Sequence, residues 1–164
     1  MTRTIDNILT FTVDNQILAL PIEHVQYVFH SAAIRAIPEA NTLIHGLFDY
    51  QGEIFPVINL RKRLGLEEKP ISANDYFVLV TKNDQSYILV VDEVSEVYNT
   101  TEREVIKKHF AVPNLQKDKV VDTGLELMIF NKENIGIILI YNIEQVINSE
   151  IELNVRAIVN KLMN

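Results

Sequence analysis

The chain has 164 residues, 48% of them apolar and 23% charged, the balance of a folded globular domain, which excludes a disordered or collagen-like polymer. Fifteen Lys plus Arg against 22 Asp plus Glu leave a net charge of −7, the wrong sign for general nucleic-acid or anionic-membrane binding, so the expected partners are proteins. There is no cysteine, which removes disulfides, thiolate metal sites and cysteine nucleophiles together.

In chain order, Ile8 to Val13, the turn Asp14-Asn15-Gln16 and Ile17 to Pro21 read as a hairpin, with Thr10 and Thr12 alternating against Leu9, Phe11 and Val13. Nothing before it forms a long apolar leader, and no run approaches the ~18 apolar residues of a membrane span, so a cytoplasmic protein without membrane insertion is expected. One turn later, Val25 to Phe29 reads as a strand, and Ile34 to Ile37 as a short strand stopped by Pro38. Leu47 to Tyr50 and Ile54 to Ile58 flank Gln51-Gly52-Glu53, a strand, a Gly-centred turn and a strand. Pro56 cannot donate a ladder hydrogen bond, so its strand should lie at an edge, bulge or bend. Leu60 to Leu64 then reads as a short helix ended by Gly65, with Arg61, Lys62 and Arg63 on its solvated face.

Residues 65–74, with Pro70 and the charges of Glu67, Glu68 and Lys69, mark a composition break between two lobes. A second hairpin follows, Tyr76 to Thr81 and Tyr87 to Val91, and after it Val94-Ser-Glu-Val97. This repeats the first hairpin and Val25-Gln-Tyr-Val28 at a spacing of 69 residues, counted from Val25 to Val94. A third hairpin is Leu127 to Phe130 with Ile135 to Ile140. Thr100 before Glu102 and Glu104 reads as a helix N-cap, followed by a polar loop that carries Phe110. From Ser149 the pattern is helical, with Ser149 as cap and Ile151, Val155, Ile158 and Leu162 on one stripe, which predicts an amphipathic helix over 149–163 docked on the domain at 8–148.

Catalytic patterns are missing. His24, His30, His45 and His109 include no pair at zinc-binding spacing, no serine sits in a Gly-x-Ser-x-Gly elbow, and the five glycines are too scattered to cradle a phosphate. No carboxylate pair is set in an apolar surround that would split its pKa values. The expectation is therefore a chain with no enzymatic activity, cofactor or metal, in which His30 and His45 are surface or half-buried side chains.

The stretch Gly46 to Leu66, with Gly, a turn Gly, an apolar pair, Pro, then Val57-Ile-Asn-Leu-Arg61 and Leu64-Gly-Leu66, resembles the CheW-like domain. Ala19 to Val25, Ile88 to Val97 and Asn142 to Ser149 are similar to other segments of that family, so the likeness covers roughly residues 8–160. It implies a mainly β fold of two packed five-stranded SH3-like barrel lobes with a C-terminal helix. It also implies an adaptor that couples chemoreceptors to a CheA-type histidine kinase in bacterial chemosensory signalling. The implied partners are the cytoplasmic tip of a methyl-accepting chemoreceptor, met by Val25, Tyr27, Gln51, Gly52 and Ile54, and the kinase's regulatory domain, met by Tyr76 and Phe110. Where the family carries Asn-x-Arg-Gly, this chain has Asp49-Tyr50-Gln51-Gly52: a guanidinium has become a neutral amide. That change leaves a second expectation, a CheW-like structural module that fills array positions or serves another pathway without standard receptor coupling.

Overall fold

The computed structural model describes residues 7–37, 42–100 and 136–163, together with the backbone of four strands between 105 and 132. In chain order these are β1 (Asn7–Val13), β2 (Gln16–Pro21), a 3-10 turn (Ile22–His24), β3 (Val25–His30), β4 (Ile44–Tyr50), β5 (Glu53–Ile58), α1 (Leu60–Arg63), β6 (Tyr76–Lys82), β7 (Gln85–Val91) and β8 (Glu93–Asn99). There follow β9 (Val105–His109), β10 (Val112–Asn114), β11 (Lys119–Val121), β12 (Glu126–Lys132), β13 (Gly136–Tyr141), α2 (Ile143–Val146) and α3 (Ser149–Met163).

The strands make a five-stranded sheet in the order β3-β6-β7-β5-β4, a six-stranded sheet in the order β8-β1-β2-β13-β12-β9, and the small pair β10-β11. Both large sheets follow one plan. A central hairpin, β6-β7 or β1-β2, has a third strand on one side and a second hairpin, β5-β4 or β13-β12, joined in parallel on the other. The third strands are exchanged. β3 follows the first hairpin in sequence but pairs with β6 of the second, and β8 follows the second but pairs with β1 of the first. The 69-residue repeat is thus visible in three dimensions as a reciprocal swap. The composition break at 65–74 joins β5 and α1 to β6, strands of the same five-stranded sheet.

Alternation in each strand divides the core. On β6 and β7, Val78, Val80, Tyr87, Leu89 and Val91 face the space between the sheets, where they meet Leu9, Phe11, Leu18 and Leu20. Phe77, Leu79 and Ile88 face the other way, into a separate cluster with Phe55 and Val57. Among the described strands no ladder closes either sheet into a barrel, a departure from the barrel lobes that the resemblance implies. The five-stranded sheet curls until rings of its two outer strands touch: Phe29 and Phe48 lie 5.6 Å apart between centroids, and each packs near-perpendicular on Phe77 at 5.7 Å. Ring packing therefore closes what the backbone leaves open.

Three other expectations change. Ile34–Ile37 is not a strand but contributes an isolated bridge, Arg35 to Leu47. The helix start read at Thr100 leads instead to strand β9, whose Val105 and Ile106 pair with Phe130 and Ile129. The cap of α3 is Asn148 rather than Ser149, because its Oδ1 accepts the Ile151 N–H at 3.0 Å. Pro56 sits where its chemistry allows: the ladder from β5 to β7 comprises Val57 and Ile58, so Pro56 has only β4 beside it. Helix α3 docks through Ile151, Val155 and Ile158, all buried in the core between the sheets. At about 1.5–3 kcal/mol for each side chain removed from water, that stripe holds the helix in place.

The β1-β2 and β6-β7 hairpins turn through Asp14-Asn15 and Asn83-Asp84, all four at positive φ near +50° to +64°. This is the type I′ geometry that Asn-Gly favours, and a side chain in the left-handed region costs about 1–2 kcal/mol where glycine is free of it. Asp84→Gly is accordingly expected to raise the urea midpoint by the equivalent of about 0.5–1 kcal/mol with an unchanged slope, once the extra chain entropy of glycine is deducted.

Candidate functional site

The β4-β5 hairpin reaches beyond the sheet and ends in Gln51-Gly52, at φ +54° and +89°. The Asp49 carboxylate closes the turn by accepting the Gly52 N–H at 2.9 Å. Along its flank runs an open groove of about 460 Å³. Its apolar lining comes from Ile34, Ile37, Leu47 and Ile54, and from Leu162 on the last turn of α3. Arg35 and Asp49 supply its charges. Ile54 is 48% and Leu162 53% exposed, and Tyr50 beside the turn is exposed as well. A cleft with apolar walls and a few polar groups suits the apolar face of a partner helix better than a small polar metabolite.

Of the sequence-expected residues, Gln51, Gly52 and Ile54 lie together on this hairpin. Val25 and Tyr27 lie on β3, the opposite edge strand of the sheet. Val25 is half-buried against the core, whereas Tyr27 is 69% exposed beside an exposed Val28. Tyr76 begins β6 opposite His30, and the two rings stack with centroids 4.6 Å apart. Phe110 lies outside the described residues. Sequence reasoning missed Leu162, because it continues the buried stripe of α3 by spacing. It also missed Ile34 and Ile37, which lie in irregular chain where no periodicity marks a face.

The basic cluster is not a solvated face. Arg61 donates to both carboxylate oxygens of Asp92 at 2.7 and 2.9 Å and to the Glu67 carbonyl at 3.0 Å. Arg63 donates to the carbonyls of Gln145 and Val146 and so ties α1 to α2. Only Lys62 is exposed. Burial by itself would push the Asp92 carboxyl up. The Asp14 N–H and the cations of Arg61 and Lys69 outweigh it and hold that group below the usual carboxylate range. Burial pushes the half-buried His45 imidazole below its ordinary value, partly opposed by the nearby Glu68 carboxylate. The cavity between His45, Arg61, Lys69 and Asp92 is about 10 Å³, room for no more than one water. Among the described residues no group of three or more His, Asp or Glu could hold a metal ion, and no helix is long and apolar enough to cross a membrane.

The CheW-like domain pattern matches residues 7–150. The chain belongs to the CheW-like domain family. It is 30% identical over 98 residues to the chemotaxis protein CheW of Thermotoga maritima, covering 60% of this chain and 64% of that protein. It is 27% identical over 132 residues to the chemotaxis protein CheW of Bacillus subtilis, covering 80% and 81%. The match spans slightly less than two thirds of the Thermotoga relative, and 60% of the CheW of Treponema pallidum. In three dimensions the chain is similar to the scaffolding protein TtCheW of Thermoanaerobacter tengcongensis, with a TM-score of 0.72 at 26% identity over 90% of this chain and 96% of that one. The mainly β CheW-like fold with its C-terminal helix is therefore shared.

Proposed function

We propose that this chain is a cytoplasmic, non-enzymatic adaptor that couples chemoreceptors to a CheA-type histidine kinase in chemosensory signalling. Beyond membership of the CheW-like family, the observation that carries the reading is the groove beside the β4-β5 hairpin, apolar, open and lined by exposed Ile54 and Leu162. Its occupant in this reading is a helix of the chemoreceptor's cytoplasmic tip, with Gln51 and Gly52 at its end. Tyr27, which the resemblance assigned to the receptor, stands exposed on the far edge strand β3 and in this reading joins the Tyr76-His30 stack in the second contact, with the regulatory domain of the kinase. Sedimentation of the chain with a receptor cytoplasmic fragment tests this directly. Ile54→Lys places a charge in the apolar wall and is expected to weaken receptor binding at least thirtyfold, the cost of an interface hot spot of about 2 kcal/mol, while binding to the kinase domain is retained. Equal binding by Ile54→Lys and the parent chain would remove the groove from the site.

A second reading rests on Gln51. The turn carries exposed Asp49 and Glu53 and a neutral amide where the resembling motif has Arg, so the charge-assisted contact that a guanidinium makes, typically about 1.5–3 kcal/mol, is missing. A module of this kind occupies its place in an array without transmitting signal. The two readings part on kinase autophosphorylation with receptor present, which an adaptor changes and an array filler leaves as it was.

A further inference from the structure

The chain passes from the five-stranded to the six-stranded sheet through one residue, Asp92, which separates β7 from β8. Its N–H donates to the Thr12 carbonyl of β1 at 2.9 Å, and its carboxylate accepts the Asp14 N–H of the β1-β2 turn at 2.8 Å. The same carboxylate accepts both Arg61 bonds, and the Lys69 ammonium lies 3.4 Å away. Arg61 stands on α1 directly after β5, the strand whose Ile54 lines the groove. Its side chain is 12% exposed, and it also lies 3.6 Å from the Asp14 carboxylate. One planar guanidinium thus joins the groove-bearing hairpin to the start of β8 and to the first hairpin.

The apolar core between the sheets is attractive but non-directional, and by itself sets no fixed angle. Both contacts to Asp92 come from Arg61 Nη2, while Nη1 donates to the Glu67 carbonyl, so two nitrogens of one rigid plane are held by different segments and impose a direction. We propose that Arg61 is a positioning residue for partner binding: by holding Asp92 it fixes where β8 leaves the five-stranded sheet. It thereby fixes the placement of exposed Val97 on β8 relative to the groove at Ile54. The inference rests on the adaptor reading for its consequence, but the pin itself is a property of the free chain.

The absence of cysteine allows spin labels at Glu53→Cys on β5 and Ser95→Cys on β8, both exposed positions, with no background thiol. Arg61→Lys keeps the charge but has one nitrogen in place of the two that reach Asp92 and the Glu67 carbonyl together. It is expected to shift or broaden the Glu53-to-Ser95 distance by about 2 Å or more, the scale on which packed elements slip past one another. Asp92→Asn should do the same, and the double variant should move no further than either single one, because both act through one contact. At a temperature where every variant is folded, Arg61→Lys should also bind a receptor cytoplasmic fragment at the groove about tenfold more weakly, a loss of about 1.4 kcal/mol. A folded Arg61→Lys with the parent distance and affinity, or single variants whose shifts add, overturns the proposal. A parent chain that binds neither kinase domain nor receptor fragment overturns the adaptor reading and leaves the distance measurement to decide the pin.

Discussion

Lys82→Met is expected to lower the unfolding free energy by about 2–3 kcal/mol. Lys82 ends β6 with 8% of its surface exposed, yet it is fully engaged. Its ammonium donates to the carbonyls of Ile147 and Glu144, just past and within α2, and lies 2.8 Å from the Glu152 carboxylate on α3. Replacing a whole buried ion pair by apolar groups is often harmless, so the sign depends on what stays behind. Methionine keeps the stem but strands two carbonyls and a carboxylate around a thioether, and the cost of those unmet groups wins. Glu152→Gln leaves an acceptor for the ammonium and should cost roughly 1 kcal/mol or less. Urea unfolding measures both, and a Lys82→Met loss below that of Glu152→Gln would show that the carbonyl contacts contribute nothing.

Gly46→Ala is expected to cost about 2–3 kcal/mol and to weaken binding at the groove with it. A Cβ at Gly46 would stand 2.3 Å from the Arg35 carbonyl oxygen and 3.2 Å from the Ala36 Cα, backbone atoms that cannot swing aside as a flexible side chain does. That carbonyl accepts the Leu47 N–H at 2.8 Å, and the Arg35 N–H donates back to Leu47 at 2.8 Å, so relief of the clash breaks the bridge. Arg35, Ala36 and Leu47 all line the groove, which therefore changes shape. Gly52→Ala is the control, because a Cβ there meets nothing within 4 Å and only its positive φ is penalised, by about 1 kcal/mol. Midpoints in the order parent, Gly52→Ala, Gly46→Ala are the expected result, and a Gly46→Ala chain as stable as Gly52→Ala would contradict so close an approach of the Arg35 backbone.

The strands were legible wherever alternation and turn chemistry agreed. Ile8 to Pro21 and Tyr76 to Val91 carry polar two-residue turns between apolar runs, and both fold as hairpins within a residue or two of the expected bounds. The exchange of β3 and β8 was not legible. Val25-Gln-Tyr-Val28 and Val94-Ser-Glu-Val97 signal strands, but no local pattern says which hairpin a strand will join, and that choice is made by the core between the sheets. Side-chain roles were read least well. Arg61 and Arg63 are charged residues on a short helix, and only the fold reveals that Asp92, 31 positions away, lies within reach. Leu162 was assigned to the buried stripe, and the groove at the end of α3 leaves it open.

The exchanged strands also bear on how the molecule is made. Asn7 and Asn99 are neighbours across β1 and β8 although they are 92 positions apart. During vectorial synthesis the first hairpin emerges long before the strand that covers its flank, and at about 5–20 residues per second it waits several seconds with that flank bare. Nascent chains halted just before Glu93 should therefore recruit chaperones that the full-length, released chain no longer needs.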